Sequence, residues 1–150
     1  MASVVRDADP PPSPGARVTL SAQLIFLVAY LFGSFGILLA AALHQDDLAV
    51  VFDPRLERLG DPKDSPPVIG PDSVWNPLAW VFGIARIVAF MIYPLAVLML
   101  PLGVLGPLRT RYLGDRKTFH LITVTTTIWL ALAVLAVTPY GGHLLTWLLD

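Results

Sequence analysis

The sequence predicts an all-α integral membrane protein: three transmembrane helices with an acidic extracytoplasmic loop, 44–74, that contains a short helix. Three observations predict it. Hydrophobic residues make up 55% of the chain and charged residues 14%, against about 45–50% and 25% in water-soluble domains. The stretch Asn76 to Leu105 carries a single charge, Arg86, over a length that a bilayer accommodates and an aqueous surface does not. Two more apolar runs, 20–43 and 119–137, flank it.

In chain order, residues 1–17 hold Pro10, Pro11, Pro12 and Pro14 with few apolar side chains. Proline donates no backbone hydrogen bond and favours extended chain, so a flexible cytoplasmic arm is expected. Residues 18–150 then form one three-helix transmembrane domain. The first span, 20–43, takes Thr19 or Ser21 as its N-cap. Its apolar run exceeds the roughly 7–15 residues of a signal-peptide core, which predicts a retained anchor. Small residues four apart, Ala29/Gly33 and Gly36/Ala40, allow another helix backbone to come close.

The 44–74 loop is rich in acids, among them Asp46, Asp47, Asp53 and Glu57. Asp53 as N-cap, Pro54 as first helical residue and Gly60 as terminator predict a short helix there. The third span, 119–137, is enriched in threonine at 123 and 125–127. Threonine bonds the carbonyl one turn back or reaches to a neighbouring helix. Pro139 and Gly141-Gly142 are expected to break the helix, leaving an apolar tail, 138–150, at the interface or on a partner.

Orientation follows from the basic residues. The short connection after the second span holds Arg109, Arg111, Arg116 and Lys117. Lys and Arg concentrate on the cytoplasmic side. The expected topology is a multi-pass protein of the bacterial plasma membrane with a cytoplasmic N-terminus and an extracytoplasmic C-terminus.

Arg86 is the residue that departs from the apolar pattern. An arginine at the bilayer centre costs about 2.5–3.5 kcal/mol. From Ile87 to Leu105 the chain is uncharged, and that stretch alone is about 28 Å long as a helix. Arg86 is therefore expected at the outer boundary, snorkelling or paired with an acid, with Trp75 and Trp80 as an aromatic belt. Trp75 to Ala85 becomes an apolar lead-in that another subunit or the membrane surface must cover. Pro94 and Pro101 predict kinks.

Chemistry is harder to find. The absence of cysteine excludes disulfides and thiolate-built metal sites, and a net charge of −1 argues against nucleic acid. His44 and His143 sit at one depth on different segments, the arrangement a haem needs for two axial ligands. Both lie at helix ends, so no haem is expected and no other cofactor beyond bound lipid. His44, Asp46 and Asp47 lack a metal-site spacing, and no metal is expected. No serine lies in a nucleophile elbow and no glycine-rich phosphate loop is present. The function expected from sequence is that of a non-catalytic accessory subunit in a larger bacterial membrane complex, of respiratory or other energy-transducing type. Its partners would be other membrane subunits and lipids. The alternative is a small homo-oligomeric transporter or channel, using the threonine cluster and Arg86.

Overall fold

A computed structural model describes residues 14–59, 77–112 and 116–149. Among these the chain is helical. Helix α1 (Pro14–Leu31) runs through a π turn (Phe32–Gly36) into α2 (Ile37–His44). A 3₁₀ turn (Leu48–Phe52) and a single helical turn, α3 (Leu56–Leu59), follow. Then come α4 (Pro77–Phe90), α5 (Ile92–Tyr112), α6 (Arg116–Ala136) and α7 (Pro139–Leu149).

Pro14–His44 and Arg116–Ala136 are each long and apolar enough to cross a membrane. Gly83–Phe90 and Ile92–Gly106 pass the same test only as a pair, and they are bent by 75°. The described residues therefore hold two candidate crossings, or three if the bent pair is one.

Several boundaries differ from expectation. The first helix already includes Pro14, so Thr19 and Ser21 are interior residues and not caps. Proline is suited to a first helical turn, and Ala16 is already buried there. Residues 14–17 thus belong to the helix and not to the arm, whose remainder, 1–13, lies outside the described residues. The second apolar stretch does not divide at Arg86. It breaks at Met91, three residues before Pro94. Proline 94 cannot bond the carbonyl of Phe90, and its ring crowds that carbonyl. Pro101 lies within α5 without a break, and α5 continues past Leu105 to Tyr112.

The loop also folds differently. Asp47, not Asp53, caps a helical turn, its carboxylate accepting from the Ala49 N–H at 2.9 Å. Asp53 follows the 3₁₀ turn and pairs with Arg55 at 2.9 Å and Arg58 at 3.8 Å. The next turn begins at Leu56, two residues after Pro54. Gly60 and Trp75 fall outside the described residues, as does the rest of the loop between them.

The break before the tail comes at 137–138, and Gly141-Gly142 are helical. Thr138 caps α7 by accepting from the Gly141 N–H at 3.4 Å, which leaves Pro139 at the first helical position. The tail does not wait for a partner: Leu144, Trp147 and Leu148 are buried on the chain's own core.

Helices α1, α5 and α6 form an up-down-up bundle. A Cβ added to Gly106 on α5 would touch Thr19 on α1 and Ile122 on α6. At the other end Tyr93 on α5 donates to the Ala136 carbonyl of α6 at 3.0 Å. The α6 residues Thr118, Ile122, Thr125, Trp129, Leu132 and Ala136 are buried. Their alternating spacing of four and three is the seam of a left-handed helix pair. Apolar side chains stand on the outer faces, with Ile25, Val28, Val97 and Val134 all exposed.

Candidate functional site

The buried polar groups of the bundle meet at Gln23. Its side chain is fully buried in the middle of α1. Nε2 donates to the Met99 carbonyl on α5 at 3.2 Å and to Thr126 Oγ1 on α6 at 3.1 Å. Thr125 Oγ1 donates to Gln23 Oε1 at 2.7 Å. A carbonyl can only accept, so Met99 fixes which end of the amide faces α5. Trp129 Nε1 donates to the Gln23 backbone carbonyl at 3.3 Å. One amide therefore ties all three helices at one level.

The knot depends on a missing side chain. Gly103, one turn beyond Met99 on α5, is buried. A Cβ there would lie 2.5 Å from Thr126 Cγ2 and 2.7 Å from Gln23 Nε2, inside any tolerable contact. Thr126 in turn donates to the Ile122 carbonyl at 2.7 Å, which leaves its lone pair for Gln23. Nothing in the sequence reading singled out Gln23. The signal was available, because a lone amide inside an apolar span must find partners within the bundle.

A second polar junction sits at the other end. Arg86 on α4 donates through Nε to the Leu148 carbonyl at 3.0 Å, and through Nη2 to the same oxygen. Leu148 lies in the last turn of α7, where carbonyls lack helical partners and carry partial negative charge. The guanidinium also stands over the Phe90 ring, 5.9 Å from its centre. A backbone carbonyl thus holds the cation where the sequence suggested a carboxylate.

The other residues singled out from sequence fall in separate places. A Cβ on Gly33, in the π turn, would overlap the Ala85 carbonyl and lie 2.9 Å from the Arg86 nitrogen. Gly33 is therefore where α1 touches the α4 backbone. The nearest atoms to a Cβ on Gly36 would be those of its own neighbours, Phe32 at 3.4 Å and Leu31 at 3.8 Å. Ala29 and Ala40 are half-buried, and Trp80 is exposed. His44 ends α2 and His143 lies on α7, both exposed. Among the described residues no group of three or more His, Asp or Glu side chains could hold a metal.

The π turn borders a small void lined by Tyr30, Ser34, Ala89, Leu135, Gly141 and Leu148 among others, with about 10 Å³ of free space. That is room for about one water. Ser34 turns its hydroxyl to the Tyr30 carbonyl at 2.6 Å. Outside the bundle, Tyr140 donates to the Val51 carbonyl at 2.8 Å and so pins the 3₁₀ turn to α7. Burial raises the Tyr140 pKa above its ordinary value.

Comparison with protein-family models, curated proteins and solved structures gives no match.

Proposed function

We propose that this chain is a non-catalytic accessory subunit of a larger bacterial membrane assembly, acting through helix packing. One observation carries this reading. The buried polar side chains Gln23, Ser34, Thr118 and Thr125 have partners within the chain, and the void beside Ser34 admits little more than a water. Among the described residues, these buried side chains leave no free polar group for a substrate. Meanwhile the outer faces of α1 and α5, and of α6 from Ile128 onward, are largely apolar, as surfaces that meet lipid or other membrane helices are.

On this reading the crossings are α1–α2, α5 and α6. Only 92–106 of helix α5 counts toward its apolar crossing, about 21 Å, and with the end of α4 it makes up one bent pair. The basic α5–α6 connection lies in the cytoplasm and the 44–74 loop outside. An energy-transducing complex is proposed by analogy of size and topology.

A photo-crosslinker at Val97, on the outer face of α5, tests the proposal in native membranes. Adducts to a different membrane protein are expected. Adducts only to lipid and to copies of this chain would contradict it.

One observation favours the alternative, a homo-oligomeric channel. Arg116, His120, Thr123 and Thr127 are all exposed, on the face of α6 opposite the buried seam. Thr123 and Thr127, however, donate to carbonyls of their own helix at 2.8 and 2.9 Å. These hydroxyls are already satisfied without a pore.

A further inference from the structure

Resting on the membrane reading above, we propose that α4 is an in-plane helix of the outer leaflet whose exposed face lies against phospholipid acyl chains. The levels of the bundle support this. Thr19, Gly106 and Ile122 stand side by side, and the basic residues Arg17, Arg109, Arg116 and Lys117 all lie beyond them toward one end. That level marks the inner edge of the apolar slab. From there α5 rises 14 residues to Ile92 and α6 rises 14 to Ala136, about 21 Å each. A hydrocarbon core of about 30 Å leaves roughly 9 Å above them. This is close to one helix diameter, about 10 Å.

Helix α4 fills that layer. It meets α5 at a bend of 75°, so with α5 crossing the bilayer α4 runs close to the membrane plane. Its buried side, Ala85 and Ala89, packs on the bundle. Its opposite side presents Trp80, Ile84 and Ile87, and Met91 at the junction continues it; they are 61, 58, 58 and 51% exposed. The stripe continues through Met91 into the exposed Val97 and Leu98 of α5, which face lipid on the same reading. The helix's one charge is withdrawn from this stripe, because Arg86 is turned to the Leu148 carbonyl. An apolar face without charge suits acyl chains. Lying just under the headgroups, α4 also brings its arginine to the depth where a cation is tolerated.

The chain has no cysteine, so single-cysteine variants at Ile84, Ile87 and Met91 can be spin-labelled cleanly. Val28 and Val97 serve as lipid-facing controls. The full chain in phosphatidylcholine vesicles is probed by relaxation with oxygen and a water-soluble nickel complex. Residues 84 and 91 are about 10 Å apart along a helix. An in-plane α4 predicts that their depths differ by about 3 Å and that oxygen reaches both. A difference near 10 Å would overturn the inference, because α4 would then continue the span. Labels shielded from oxygen and nickel alike would also overturn it, in favour of a protein covering the face. If Val28 and Val97 were themselves open to nickel and not to oxygen, the membrane reading would fall, and this inference with it.

Discussion

Gly103 faces Thr126 across the α5–α6 seam so closely that any side chain at 103 would overlap the threonine. The closeness is what lets Gln23 on α1 reach Thr126 and the Met99 carbonyl together. Gly103→Ala is therefore expected to destabilise the folded protein by about 1–3 kcal/mol, the usual cost of overpacking. Gln23→Leu should cost less, about 1 kcal/mol, because interhelical hydrogen bonds in membranes are modest. Thr125 can then turn its hydroxyl to the Leu121 or Ile122 carbonyl, each at 3.0 Å. Adding Thr126→Ala to Gly103→Ala removes the clashing threonine atoms, though not Gln23 Nε2, and should restore part of the loss. Denaturation in detergent of these three variants and of Thr126→Ala alone, which completes the 103/126 double-mutant cycle, measures the effects.

Glycines 33 and 36 share a spacing motif in sequence and part company in the fold. Gly33→Ala forces a Cβ into the Ala85 carbonyl and should cost about 1–3 kcal/mol by driving α4 off α1. Gly36→Ala meets the movable Phe32 ring first, at 3.4 Å, and the Leu31 carbonyl at an ordinary 3.8 Å, and should change the melting temperature little. Equal effects would contradict the helix contact described for Gly33.

Arg86 ties α4 to the last turn of α7 through Leu148. A hydrogen bond to a charged donor contributes about 1.5–3 kcal/mol. Arg86→Ala should loosen α7, seen as faster amide exchange from Leu144 to Leu149, with the 116–136 helix unchanged. Arg86→Lys should restore only part of the protection, because an ammonium lacks the planar fork that reaches one oxygen from two nitrogens.

Tyr140 gives a pH dependence outside the bundle. Burial raises its pKa in the folded protein, so the folded state holds the phenol proton more tightly than the unfolded chain, whose pKa is about 10. Its contribution is fully present below about pH 10 and is lost as pH rises through the raised folded value. Thermal stability should fall across that alkaline range, and Tyr140→Phe should flatten the fall. A wild-type decline below pH 9 would have another origin.

The sequence made three long helical regions legible because apolar length is a strong, local signal. It placed Pro94 near a kink for the right steric reason, and α4 and α5 do part three residues before it. The size of that bend, 75°, was not legible, because it is set by what α4 packs against. Gly33 and the π turn determine that contact jointly. Arg86 was conspicuous as a charge, yet its acceptor is a backbone carbonyl, which no residue pattern marks. Gln23 was overlooked because a single amide barely changes mean hydropathy, although its partners come from helices far apart in the chain. The tail read as apolar but unattached, since its attachment depends on Trp147 and Leu148 finding the core in three dimensions.

We have proposed that this chain works as a packed component of something larger. The most direct test is the native mass of the protein extracted from its membrane in a mild detergent such as digitonin. A defined particle containing one or more different membrane proteins is the expected result. A homogeneous particle whose protein mass is a small whole multiple of 16.3 kDa would contradict the account and favour a homo-oligomer.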